Sequence, residues 1–288
     1  MQTYLECFPC FLSQALRAAR IATDDPEKVK QVLDEVGMML KDIPLTSTPP
    51  ESGQRVYQRI SAITGNNDPY KAIKAENTRK ALSLYPELKA RVEASEDRLL
   101  TAIRIAIAGN VIDFGPGKAF DLKMSVEEVL TQDFAVNDYP AFKACLHGAR
   151  EILFIGDNAG ESVFDRILIE ELQKPVQYAV RGTPVINDVT FEDAVQAGID
   201  EVATIISSGT DAPGAILGTC SPEFRAVNGR SSLIISKGQG NYEALSHTRG
   251  PVFFLLKAKC RVIAKDMGIE DGDIVLKQAQ RAMERTLK

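Results

Sequence analysis

Residues 151–161 read EILFIGDNAGE, an apolar run from Glu151 to Ile155 that breaks at Gly156 into the polar turn Asp157-Asn158-Ala159-Gly160 before Glu161. An apolar run this short, bounded by turn residues, reads as a strand buried on both faces, the kind found in parallel sheets. Four similar runs follow, at Val176–Val180, Val202–Ile206, Leu233–Ser236 and Val252–Leu255, with helical patterns at Glu161–Leu172 and Phe191–Ala197 between them. A last helix is expected from Asp271 to Leu287. Strands alternating with helices predict an α/β fold with a mainly parallel, Rossmann-like sheet and flanking helices.

Working back from residue 150, the pattern is helix after helix. Asp24-Asp25-Pro26 supplies caps and a first-turn proline for a helix expected to close at Gly37, and a second starts at Pro49-Pro50 and ends at Gly65. A third begins after Asp68-Pro69 and is expected to break at Pro86, and a fourth runs from Leu88 to Gly109. Beyond the link at 109–117, Ser125 and Glu128 form a candidate capping box. The expected division is a helical N-terminal cap over 1–120 and an α/β region over 121–288, the cap docked on the sheet because no low-complexity linker separates them.

The 288 residues carry 34 Lys+Arg and 39 Asp+Glu for a net charge of -5, with 44% hydrophobic and 25% charged residues. That balance excludes disorder and argues against a nucleic-acid partner. The longest apolar stretches, such as Val252–Leu256, are far below the roughly 20 residues of a membrane span, and MQTYLECFPC lacks the features of a secretory signal. A cytoplasmic location is expected, and five cysteines, an odd number, are read as thiols or metal ligands rather than a disulfide framework.

Ligands of open parallel sheets bind beyond the carboxyl ends of the strands, so the loops there carry the chemistry. These are GDNAGE (156–161), RGTPVINDVT (181–190), SSGTD (207–211) and KGQGNYE (237–243). Asp157, Asn158 and Asp188 offer two carboxylates and an amide, a set suited to a hard divalent cation. Gly209, Gly238 and Gly240 let backbone N–H groups approach anionic oxygens, Lys237 and Arg181 add positive charge, and Thr183, Asp211, Asn241 and Glu243 are further candidate contacts for a phosphorylated substrate. Any one such loop is ordinarily a turn or a cap; four on one rim point to metal-assisted phosphoryl chemistry. Asn110 and Asp113 are candidates to reach the rim from the helical part, or to close its junction, and Glu161 either orients the metal shell or serves its helix's first turn. No G-x-G-x-x-G, P-loop or nucleophile elbow occurs, and His147 and His247 read as exposed.

In order along the chain, CFPC (7–10), AGNVIDFG (108–115), GDNAGE, RGTPVINDVT, SSGTDAPG (207–214) and SKGQGNYE (236–243) resemble the damage-control phosphatase family, long catalogued as a domain of unknown function. The short prokaryotic type with an N-terminal Cys-x-x-Cys is most similar. The resemblance covers almost the whole chain and implies a metal-dependent phosphatase acting on a small phosphorylated metabolite, a sugar phosphate or a damaged or overflow cofactor precursor. It also implies that Asp157, Asn158 and Asp188 hold the metal, with Mg²⁺, Mn²⁺, Co²⁺ and Ni²⁺ all admissible, and that Lys237 contacts phosphate. Attack by water and attack by Asp157 both stay open. Two rival readings are an S-adenosylmethionine-dependent carboxyl methyltransferase and a non-catalytic metal or metabolite sensor. Cys7 and Cys10 have metal-ligand spacing, with Cys260 a candidate third thiolate, so they are either a second metal or redox site or inert thiols at a helix start.

Overall fold

The computed structural model describes residues 1–111, 122–248 and 250–279. The first half contributes helices α1 (Cys7–Ala22), α2 (Pro26–Leu40), α3 (Pro49–Thr64), α4 (Lys71–Glu93), α5 (Arg98–Val111) and α6 (Leu122–Thr131). Strand β1 (Phe134–Asn137) and helix α7 (Tyr139–Gly148) lead into β2 (Ile152–Ile155), α8 (Ser162–Leu172), β3 (Val176–Val180), α9 (Phe191–Gln196) and β4 (Thr204–Ser207). The chain continues through α10 (Pro222–Arg230), β5 (Ile234–Lys237), α11 (Gly238–Leu245), β6 (Val252–Lys257), α12 (Arg261–Met267) and β7 (Ile274–Gln278).

The sheet has seven strands in the order β1-β7-β6-β5-β2-β3-β4. All neighbours pair in parallel except β6 with β7. The chain winds from β2 outward to β4 on one side and from β5 to β6 on the other, so the crevice between β2 and β5 is the switch point at which such sheets bind ligands.

Burial explains why the strands read as unbroken apolar runs: Ile152 and Phe154 face one core layer, Leu153 and Ile155 the other. Each such side chain contributes about 1.5–3 kcal/mol relative to an exposed one. Helices α4, α5 and α8 pack in the first layer, and α10, α11 and α12 cover the second. Helices α1–α3 close on a third core of their own, built around Phe11, Ala15, Val32, Val36, Val56 and Ile60. Among the described residues no helix is long and apolar enough to cross a membrane.

The caps form largely as expected. Asp25 accepts from the Glu27 and Lys28 amides, Thr48 and Glu51 form a capping box, and Gly65 closes α3 at φ 75°. Other expectations are corrected. Gly37 lies inside α2, which continues to Leu40, and Pro86 lies inside α4. Buried Leu88 and Val92 carry α4 past the proline, and the hydrogen bond it removes would have ended on the carbonyl of Leu82, a residue open to solvent. Helix α6 starts before Ser125, so that residue is not its cap. Strand β7 takes the first half of the expected Asp271–Leu287 helix, whose remainder from 280 lies outside the described residues. The division at 120 and 121 also lies outside them.

Candidate active site

The loops after β2 and β3 are stitched together by their backbones. The Val189 amide donates to Asp157 O at 2.8 Å, the Ala159 amide to Asn187 O at 2.9 Å, and Asn158 and Asp188 form an isolated bridge. This brings Asp157, Asn158 and Asp188 to one corner although 31 positions separate the two aspartates in sequence numbering, 188 minus 157. The turn is tight enough to hold Ile186 at φ 46°, a conformation that costs a β-branched residue on the order of 1–3 kcal/mol. Gly238, opening α11 at φ 75°, passes so close that a Cβ there would lie 1.9 Å from Asp157 Oδ2.

Two amides converge on the same pair of carboxylates. Asn110, in the last turn of α5, donates through Nδ2 to Asp157 Oδ2 and Glu161 Oε2, both at 3.1 Å. Asn158 donates to the same two oxygens at 3.0 Å. The other Glu161 oxygen accepts from Lys237 Nζ, which also donates to Asp165 Oδ1 at 2.6 Å and Ala106 O at 2.9 Å. Tyr178, stacked on Phe154, donates its hydroxyl to Asp165 at 2.8 Å. The apolar core thus runs without a break into the polar rim.

The electrostatics are strained where the carboxylates meet. Burial, and then Glu161 and Asp188, push the Asp157 carboxyl well above the usual carboxylate range. Burial raises Asp188 to about 6 although Arg181 opposes it, and Asp165 to about 7 although Lys237 opposes it. Burial alone would lower Lys237, but Asp165 and Glu161 overcome it and hold the ammonium charged. Two buried atoms have no partner among the described residues that bears on this corner: Asn110 Oδ1 and Arg181 Nη1.

A cavity of about 790 Å³ opens over the corner, with Asn110, Asp157, Asn158 and Asp188 in its wall. That size takes a whole metabolite rather than an inorganic ion. Gly240 and Glu243 of α11 also line it. The expected contacts Lys237 and Arg181 do not. Lys237 is fully buried with its three protons engaged, and Arg181 lies beneath the rim, bonded to Asp188 at 2.7 Å and Asn241 at 3.1 Å. Asn241 is likewise internal, its Nδ2 holding Gly156 O and Lys237 O at 3.0 and 2.8 Å. Thr183 and Gly209 are exposed and away from the cavity wall, and Asp211 is held by Gln54 and Gln58 of α3, which fastens the cap helices to the loop after β4. Asp113 lies outside the described residues.

Cys7, Cys10 and Cys260 line the same cavity as free thiols, with burial raising Cys7 and Cys260. Among the described residues no group of three or more His, Cys, Asp or Glu side chains is placed to hold a metal ion, so these thiols do not close into a ligand set. What the sequence reading missed is the segment after β6, KAKCRVIAK (257–265), which places Lys259, Arg261 and Lys265 in the cavity wall beside Arg17 of α1. Its signal was three basic residues beyond the carboxyl end of a strand already identified. Asn77 of α4, packed against Gly160, was missed as well.

Residues 3–275 match the family model described as the damage-control phosphatase ARMT1-like domain. The chain is 35% identical over 284 residues to an uncharacterised protein of Methanocaldococcus jannaschii, covering 94% of this chain and 93% of that one. It is 32% identical to a damage-control phosphatase of Pyrococcus horikoshii (96% and 97% covered) and 34% identical to one of Archaeoglobus fulgidus (94% and 97% covered). A crystal structure of a DUF89 family protein from Pyrococcus horikoshii superposes with a TM-score of 0.90 at 31% identity, covering 97% of this chain and all of that one. Fold, rim motifs and family model agree along the same residues, and the chain belongs to the damage-control phosphatase family.

Proposed function

We propose that this protein is a divalent-metal-dependent phosphatase that hydrolyses a small phosphorylated metabolite at the Asp157 corner. The observation that carries the reading is the oxygen-only donor set under the cavity. Burial, Glu161 and Asp188 raise the proton affinity of Asp157, burial and Glu161 raise that of Asp188, and the buried Asn110 Oδ1 beside them has no partner among the described residues. A hard cation relieves both conditions, and Asp157, Asn158 and Asp188 are the residues that would hold it. Bound there, it would polarise the phosphoryl group and offset its charge.

The protein's own groups supply the rest. Lys237 anchors Glu161, and Glu161 with Asp157 fixes which way the Asn110 and Asn158 amides face. Lys259 lies close enough to Asp157 to lower its proton affinity, and it takes the phosphate-facing role expected of Lys237. The first turn of α11 brings Gly240 into the wall, where backbone can approach an anion. In-line attack comes from water or from Asp157, and only the second leaves a phospho-aspartyl group that can be trapped.

The test is phosphate release from sugar phosphates and phosphorylated cofactor fragments. Chelator-stripped protein receives Mg²⁺, Mn²⁺, Co²⁺ or Ni²⁺ singly, with Asp157→Ala in parallel. Turnover should return with metal and fall by about 10³-fold or more in the variant. Folded, metal-loaded protein that releases no phosphate from any compound sinks the reading, and methyl transfer from S-adenosylmethionine without metal would replace it.

A further inference from the structure

We propose that the α1–α12 wall of the cavity binds a second anionic group of the substrate, so that preferred substrates are phosphomonoesters carrying a remote carboxylate or second phosphate. The proposal deepens the phosphatase reading and rests on it for which phosphate reacts.

Four cations, Arg17, Lys259, Arg261 and Lys265, line one cavity in a chain whose net charge is -5. Cations gathered against the overall charge set up a local attractive field for anions. Lys259 stands nearest the Asp157 corner, while Arg17 of α1 and Arg261 and Lys265 of α12 extend the positive wall beyond it. Among the described residues neither Arg261 nor Lys265 is in an ion pair, and both are exposed. Lys265 lies over the Tyr4 ring, its Nζ 5.8 Å from the centroid. That contact orients the chain while leaving the ammonium's donors available.

The acidic residues of the same wall do not cancel this charge. Burial, with Asp266 adding to it and the N-terminal amine opposing, pushes Glu243 up to about 8, and Asp266 accepts from the Tyr4 and Tyr242 hydroxyls, which leaves Glu6 as the other acidic side chain of this wall. The tyrosines Tyr57 and Tyr70, with Ile186 and Val262, line the cavity as well and provide surface for a carbon skeleton between two anionic ends. A neutral sugar phosphate would leave the three cations unused. Partly exposed ion pairs are individually weak, so three together should favour the second anion by about tenfold.

The experiment compares glucose 6-phosphate, 6-phosphogluconate and glucose 1,6-bisphosphate on metal-loaded protein, by kcat/KM and by calorimetric binding. Both doubly anionic compounds should exceed glucose 6-phosphate by about tenfold, a preference that shrinks at high salt. In Arg261→Gln/Lys265→Gln the ratio should fall to about 1, and Lys265→Arg should retain it. Preference for the bisphosphate alone would assign the wall to phosphate, and preference for both to any anion. A wild-type ratio near 1, or a ratio that survives the double variant, overturns the proposal. If nothing is hydrolysed, the phosphatase reading fails, and the binding ratio still decides whether the wall selects a second anion.

Discussion

The sheet rim and the α1–α12 wall line the same cavity but use their polar groups in opposite ways. On the rim, Lys237, Glu161, Asp165, Asn110 and Asn241 are almost wholly buried, and their side-chain polar atoms are bonded within the protein with the exception of Asn110 Oδ1. On the wall, Arg17, Lys259, Arg261 and Lys265 are exposed, and Lys265 is steadied by the Tyr4 ring. A buried network is rigid because each group left unpaired there costs several kcal/mol, whereas an exposed lysine moves at little cost. Geometry that must be held to fractions of an ångström is therefore placed on the strand ends, and adaptable recognition on the helices above.

The largest expected effect tests the buried side of this contrast. Lys237→Met leaves two buried carboxylates without their cation and should destabilise the protein by about 3–5 kcal/mol in urea titration, against within about 0.5 kcal/mol for Lys265→Gln. Equal losses would break the comparison. Gly238→Ala comes next: its Cβ would meet Asp157 and its φ of 75° is unfavourable to alanine, so about 1–3 kcal/mol of stability should go together with metal-supported turnover. Stability lost with turnover retained would show that Asp157 tolerates displacement.

Asn110→Ala removes both hydrogen bonds that align Asp157 and Glu161 from α5. Metal affinity by calorimetry should weaken by about 10–100-fold, and an unchanged affinity would confine Asn110 to closing the junction. The smallest effect is a slope. In metal-free protein, Asp188 and Asp165 are raised from 3.8 to about 6 and about 7. Between those limits the folded state holds more protons than the unfolded one, so these groups make stability fall as pH rises from about 4 to about 7. Urea midpoints at pH 5 and 7.5 should show this, and Asp165→Asn should flatten it. An unchanged slope in the variant would mean that Lys237 already compensates Asp165 fully.

Much of the fold was legible before any coordinates. Val176–Val180 is the strand read from sequence, and β2, β5 and β6 start within one residue of their expected positions. Strands β1 and β7 were not found, since four residues give periodicity little to work with and the buried Ile274-Val275-Leu276 run sat in a stretch with helical composition. Of the rim residues, Asp157, Asn158, Glu161 and Asp188 converge because their loops follow the adjacent strands β2 and β3, and Asn110 joins them from the end of α5. Lys237 and Arg181, expected at the phosphate, lie buried beneath the rim and outside the cavity wall.

The sequence by itself determined the layered α/β arrangement and the loops that form the rim, because strand burial and turn chemistry are local properties written every few residues. Only the tertiary structure decided which lysine faces the cavity. Lys237 ends β5 and Lys259 follows β6 by two residues, and both read alike as cations beyond a strand. Side chains at a strand end switch faces with each residue, so register and the helix packed above decide between core and cavity. Here α5 and α8 enclose Lys237 through Ala106, Glu161 and Asp165, while Lys259 stands exposed in the cavity wall.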